Sequence, residues 1–243
     1  MLPSVTANEM REIDRLMVEE MGVELLQMME HAGRNLTEVA RTLLGGELKG
    51  RKMVVLVGPG NNGGGGMVAA RHLVNIGASV AVVLAQDPTR LQELPAHQHA
   101  TLSRMEVRIG VFDSGEADEL AAWMGPSDLV IDALLGYSLN GSPRGTIAWL
   151  IRQVNGIGRP ILALDLPSGL QPDTGEVGDP CIRAHATLTL ALPKRGLLVP
   201  TAMPYVGRLW VGDIGVPPPL YTRVGLNVEP LFSRGPVILV EDA

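Results

Sequence analysis

Asn62, Asp132, Asp165 and Ser168 are the side chains whose types and settings point to chemistry. Asp132 and Asp165 each end an apolar run, in LVIDALLGYSLNGSPRG and ILALDLPSGLQPDTG, and a glycine-broken turn follows each. One such aspartate is explained as a cap for the next helix. Two, in different strands, point to a shared crevice beyond the carboxyl ends of a parallel sheet. Desolvation at an apolar strand end raises a carboxyl group toward the range where it shuttles protons, so Asp165 is the candidate acid/base. Asn62, Asp132 and Ser168 supply an amide oxygen, a carboxylate and a hydroxyl, with no histidine or cysteine among them. Oxygen-only donors suit a hard cation and, with backbone carbonyls, a large monovalent ion, although spacing alone does not establish one.

The segment that must position these groups runs MVVLV, GPGNNGGGG, MVAARHL. An apolar run of strand length, Met53–Val57, enters a loop with six glycines and restarts as a helix at Gly65. Bare N–H groups and the positive end of a helix then favour an anion, most simply a phosphate. Glycine serves this by letting a ligand reach the backbone and by allowing φ > 0. A tight turn without a ligand is the bland alternative; six glycines beside Asn61 and Asn62 favour the ligand. The loop also satisfies G-x-G-x-x-G at Gly58, Gly60 and Gly63, which alone is weak evidence. A dinucleotide site wants an acidic residue closing the next strand. Here Ser79–Leu84 runs into Ala85 and Gln86, and Asp87-Pro88 reads as a helix cap followed by proline at the first helical position.

With 243 residues, 46% of them hydrophobic, the chain is globular and suited to one large α/β core. Aromatics are 3%, so Leu, Val, Ala, Ile and the 11 Met must build that core. A formal charge of −6 and few stacking platforms argue against nucleic acid. The lone cysteine, Cys181, excludes an internal disulfide framework and fits a reducing cytoplasm. No apolar stretch approaches the roughly 20 residues of a membrane helix, and MLPSVTANEMREID lacks the pattern of a secretion signal.

Thr6 and Glu9 predict a capping box at a first helix whose Met10, Ile13, Met17 and Met21 share a face. A second helix carries Leu26, Met29, Gly33, Leu36, Ala40 and Leu43; its His31, in MMEHAG, reads as structural rather than catalytic. Strands are expected at Met53–Val57, Ser79–Leu84, Val107–Val111, Leu129–Ala133, Ile161–Asp165, Ala186–Leu192 and Arg208–Ile214. Helices fit at Gly65–Asn75, Thr89–Arg104, Glu116–Met124 and Gly145–Gly156. The alternation implies a mostly parallel sheet covered on both faces. No helix separates the last two strands clearly, which leaves that end open to an antiparallel pair. Pro217–Pro219 opens a tail, and Pro236–Val240 in it reads equally as an edge strand or a subunit contact.

GPGNNGGGGMVAARHL, DALLGYSLNGSPRG and LDLPSGLQPDTG resemble the three signature segments of the NAD(P)H-hydrate epimerases. MMEHAG, LPKRGLL and VGDIGVP are similar to that family too, so the likeness runs in order from about Thr6 to Pro217. The resemblance implies a single Rossmann-like three-layer α/β/α sandwich, with an N-terminal helical pair and a tail from 217 to 243. It implies a homodimer that interconverts the R and S hydrates of NADH and NADPH, and a separate NAD(P)H-hydrate dehydratase to complete the repair. It places a potassium ion at Asn62, Asp132 and Ser168. It places substrate at Asn61, Asn62, Gly63, Gly64 and Gly65, at Gly136, Tyr137, Ser138, Leu139, Asn140, Gly141 and Ser142, and at Asp165.

The chemistry suits one well-placed carboxyl group. The hydrated carbon adjoins a ring nitrogen, so protonating its hydroxyl releases water and leaves an iminium, to which water returns on the other face; ring opening and reclosure is the other route. Three departures from the family pattern stand out. Gly65 replaces the aspartate of NNGGDG, Tyr137 and Ser138 replace Thr-Gly, and Gln171 replaces a common Asp. The change at Gly65 keeps alive a non-catalytic member of the fold that binds a nucleotide-like ligand or a protein. A nicotinamide dehydrogenase is disfavoured by the missing acid at Leu84-Ala85, and a sugar kinase by the absence of a second ATP-binding domain.

Overall fold

The protein is represented by a computed structural model that describes residues 2–138 and 141–240. Its capping box forms as the sequence predicts: Thr6 Oγ1 accepts from the Glu9 N–H and Glu9 Oε2 from the Thr6 N–H, opening α1 (Ala7–Glu19). α2 (Leu25–Leu43) follows, and the alternating part then runs β1 (Lys52–Val57), α3 (Asn61–Asn75), β2 (Ser79–Leu84), α4 (Glu93–Arg104), β3 (Arg108–Val111), α5 (Ala117–Met124), β4 (Leu129–Ala133), α6 (Gly145–Gly156) and β5 (Ile161–Leu164). β6 (Ala186–Leu190), α7 (Met203–Val206), β7 (Arg208–Gly212), α8 (Pro218–Arg223) and β8 (Val237–Leu239) complete it.

The strands form one sheet in the order β3-β2-β1-β4-β5-β6-β7-β8. Every neighbouring pair is parallel except β7 and β8. Side chains alternate across a strand, so β1 sends Met53, Val55 and Val57 to one face and Val54 and Leu56 to the other. The first set packs under α2, α3 and α4 through Leu36, Ala40, Met67, Leu73 and Leu102. The second packs on α5 and α6 through Leu120, Met124, Leu150 and Val154. The result is the expected three-layer α/β/α sandwich. β1 has β2 on one side and β4 on the other, so strand order reverses there, and a crevice opens beyond their carboxyl ends.

Three element expectations need correction. β6 and β7 run parallel. Their crossover is only a 3₁₀ turn (Arg195–Leu198) and the four-residue α7, too short to show an amphipathic repeat. The second correction concerns α3, which begins at Asn61 rather than Gly65. Glycine's low helix propensity hid this, because burial and packing override it here. The third is the helix expected from Thr89, which is a 3₁₀ turn (Pro88–Arg90) followed by α4 from Glu93. Asp87 does cap that turn, accepting from the Thr89 N–H. In the C-terminal segment Leu220 and Tyr221 of α8 share a buried cluster with Met10 and Met17 of α1, and β8 is an edge strand on β7. Among the described residues no helix is long and apolar enough to cross a membrane.

Candidate active site

The crevice at the switch point is a cavity of about 320 Å³. Pro59, Gly60, Asn61 and Asn62 line it after β1, Leu134–Ser138 after β4, and Leu164 and Asp165 at the end of β5. Met10 and Asp14 of α1, Leu25, Met28 and Met29 of α2, and Lys194 after β6 close the remaining sides. The three segments singled out in the sequence therefore meet in one place.

The glycine run does a different job from the one expected. None of its glycines has positive φ. Gly63, Gly64, Gly65 and Gly66 lie inside α3 and are buried. A Cβ on Gly66 would stand 2.4 Å from Ala133 Cβ, and one on Gly63 would stand 2.1 Å from the Gly58 carbonyl oxygen. The glycines let α3 press onto the strand ends. That close approach still leaves the first N–H groups of α3 at the cavity, because the Gly60 cap offers no side chain to them. Of the expected substrate residues on this segment, Asn61, Asn62 and Gly65 line the cavity, whereas Gly63 and Gly64 pack behind it.

Gly136, Tyr137 and Ser138 also line the cavity. Leu139 and Asn140 lie outside the described residues. Gly141 and Ser142 are exposed away from the cavity lining, and the Gly141 carbonyl accepts from Gln171 Nε2 at 3.0 Å. His31 is exposed on α2 and takes no part in the lining.

Asp132 is completely buried beneath the cavity, at the end of β4. Its carboxylate accepts from Ser168 Oγ at 2.7 Å, the Ser168 N–H at 2.8 Å and the Leu134 N–H at 3.2 Å. Burial outweighs these bonds and pushes its carboxyl up to about 6. Among the described residues no cationic side chain pairs with it. Ser168 Oγ also accepts from the Leu135 N–H at 2.9 Å, and Asn62 Nδ2 donates to the Leu135 carbonyl at 2.9 Å and the Leu164 carbonyl at 3.2 Å. Asn62, Asp132 and Ser168 are thus tied together through the Leu135 peptide. The set contains oxygen donors around a buried carboxylate that has no positive partner, and a hard monovalent cation fits those donors.

Asp165 is set differently. It has left-handed backbone (φ 69°), a conformation costing on the order of 1 kcal/mol outside glycine. Its N–H donates to the Leu188 carbonyl at 2.7 Å, and the turn presents its carboxylate to the cavity. Oδ2 accepts from the Tyr137 N–H at 3.0 Å, and Oδ1 accepts from Lys194 Nζ at 2.5 Å. The expectation for Asp165 rested on burial alone; the structure adds this ion-pair partner.

Two side chains that line the cavity, Lys194 and Asp14, escaped the sequence reading. Lys194, in LPKRGLL, is completely buried, and the segment holding it is pinned by Val5, which donates to Pro193 and accepts from Arg195. Asp14, on α1, accepts from the Tyr137 hydroxyl at 2.5 Å. Burial raises the Asp14 carboxyl, and burial together with Asp14 raises the Tyr137 phenol. The signals were faint. Lys194 sits in an otherwise apolar stretch after a strand, and Asp14 sits one position from the buried face of α1.

Comparison with known proteins follows the same outline. The model of the family described as YjeF-related protein N-terminus matches residues 25–196. The NAD(P)H-hydrate epimerase of Dehalogenimonas lykanthroporepellens is 47% identical over 232 residues, covering 95% of this chain and 90% of that protein. The NAD(P)H-hydrate epimerase of Pirellula staleyi is 34% identical over 215 residues, covering 88% of this chain and 93% of its own. The bifunctional NAD(P)H-hydrate repair enzyme Nnr of Moorella thermoacetica is 38% identical over 228 residues, but the match spans only 42% of its length. The crystal structure of yeast ynu0 is similar at a TM-score of 0.83 and 24% identity, over 98% of this chain and all of that one, which shows the shared fold.

Proposed function

The chain belongs to the YjeF-related family of NAD(P)H-hydrate epimerases, and from that premise we propose that it interconverts the R and S forms of hydrated NADH and NADPH. The observation that carries this reading is the Asp165 carboxyl group, aimed into a cavity of about 320 Å³ beside the N-terminus of α3. The free N–H groups of Gly60–Asn62 and the helix dipole receive the phosphates of the nucleotide. The hydrated ring then enters between Gly136–Ser138 and the apolar wall of Met10, Met28 and Leu164, with its hydroxyl toward Asp165. One proton delivered there releases water, and a proton is recovered when water adds to the other face.

A potassium ion is assigned to Asn62, Asp132 and Ser168. The support is chemical: these donors are oxygens, and the Asp132 carboxylate is buried without a countercharge. The ion supplies fixed positive charge next to the substrate turn. This chain's residues do the rest: Ser168 holds the Leu135 N–H, Asn62 holds the Leu135 carbonyl, and together they fix Gly136 and Tyr137 against Asp165.

The test is epimer interconversion, followed with a dehydratase that consumes a single epimer. Wild type is expected to drain both epimers. Asp165→Ala is expected to leave one behind while fold and nucleotide binding persist. An Asp165→Ala protein that still interconverts them removes this residue from the mechanism.

A further inference from the structure

Lys194 has no exposed surface, and its Nζ makes three contacts: Asp165 Oδ1 at 2.5 Å, the Leu190 carbonyl at 3.0 Å and Thr189 Oγ1 at 3.4 Å. A buried ammonium is costly unless fully partnered, and structural lysines rarely occupy such positions. This one is built in at several levels. Ala191 takes left-handed backbone (φ 63°) just after β6, its N–H bonded to Gly212, and the chain turns back past it. Val5 then bonds both neighbours of Lys194, and the Tyr137 ring centroid lies 5.6 Å from Nζ. The contact that all of this maintains is the one with Asp165. Oδ2 of the same carboxylate, bonded to the Tyr137 N–H, is left as the oxygen toward the substrate turn.

We propose that Lys194 is the proton source for the reaction and that Asp165 relays its proton to substrate. This deepens the epimerase reading and rests on it. The pair begins as ammonium and carboxylate. Lys194 gives a proton to Asp165 across the 2.5 Å bond, and the carboxyl group so formed passes that proton to the substrate hydroxyl. The carbon–oxygen bond breaks with its electron pair going to the departing water, while the ring nitrogen lone pair forms the iminium double bond. The protein is then an amine and a carboxylate, one negative charge that balances the new iminium cation. Addition of water to the opposite face returns one proton, which passes back to Lys194. A lone carboxylate has no proton to give at the start of this cycle; the pair does.

Arginine separates proton supply from positioning, because it keeps the positive charge and does not give up its proton. Lys194→Arg is expected to hold KM within about threefold and to lower kcat on the order of 100-fold, at the low end of what general acid catalysis supplies. In Lys194→Ala, added methylamine and its homologues are expected to restore turnover, with rates that track amine basicity. A merely structural lysine predicts no such trend. Turnover of Lys194→Arg within about threefold of wild type, or amine rescue without dependence on basicity, overturns the inference while leaving the epimerase reading in place. A wild-type protein that interconverts no epimers overturns both.

Discussion

Two neighbouring strands end in an aspartate, and the chain treats the two differently. Asp132 on β4 and Asp165 beyond β5 are both buried and both accept N–H bonds from the turn that follows β4. Asp165 has its cation built in, as Lys194. Asp132 has only neutral donors, and its carboxyl rises to about 6. A site with one self-neutralised carboxylate and one bare carboxylate separates two tasks. On the function proposed above, the paired group exchanges protons with substrate and the bare one receives a cation from solution.

Removing the paired carboxylate should have the largest effect. Asp165→Asn is expected to lower kcat by about 10²–10⁴-fold. It also leaves the Lys194 ammonium unpaired, at a cost of about 3–5 kcal/mol in urea unfolding. Asp132→Asn should do the opposite to stability. In potassium-free buffer it removes an unpartnered buried charge, so the variant should be at least as stable as wild type, and the rise in Tm expected from potassium in wild type should vanish.

The same contrast has a pH signature. The folded carboxyl of Asp132, at about 6, lies above its unfolded value of about 3.9. Its contribution is therefore fully present below pH ~4 and is lost as pH rises through about 6. Without potassium, wild type should lose up to about 3 kcal/mol across that window relative to Asp132→Asn. Saturating potassium should flatten the difference, and chemical denaturation at stepped pH measures it. Tyr137→Phe comes next in size. It removes the hydroxyl from Asp14 and should cost about 1–2 kcal/mol, with KM affected more than kcat.

Gly65→Asp should matter least. A Cβ there would meet Leu164 Cδ2 at 2.9 Å, the far end of a side chain, so Leu164 must shift to admit it. Turnover within about tenfold of wild type is expected, the range of one modest contact. A rise from no activity to normal activity would instead mark the native protein as non-catalytic.

Much of this arrangement was readable from residue order. Short apolar strands alternating with amphipathic helices fixed the parallel sheet, and paired aspartates before glycine turns located the crevice. The glycines of α3 were misread because propensity describes an isolated helix, whereas here Gly63 and Gly66 are set by what they touch, the Gly58 carbonyl and Ala133. Lys194 and Asp14 were missed for another reason. Lys194 lies 29 residues from Asp165, and Asp14 lies 123 from Tyr137, so only the closed fold brings them together. Local pattern therefore gave the carboxylates and withheld their partners, which are what distinguish their roles.

The most direct test places wild type, Asp132→Asn and Asp165→Asn side by side in the epimer assay, with and without potassium, and records Tm for each. The account predicts that potassium accelerates wild type, that Asp132→Asn keeps residual turnover indifferent to potassium, and that Asp165→Asn is inactive yet still stabilised by the ion. An Asp132→Asn protein that remains potassium-dependent, or an Asp165→Asn protein that remains active, would contradict it.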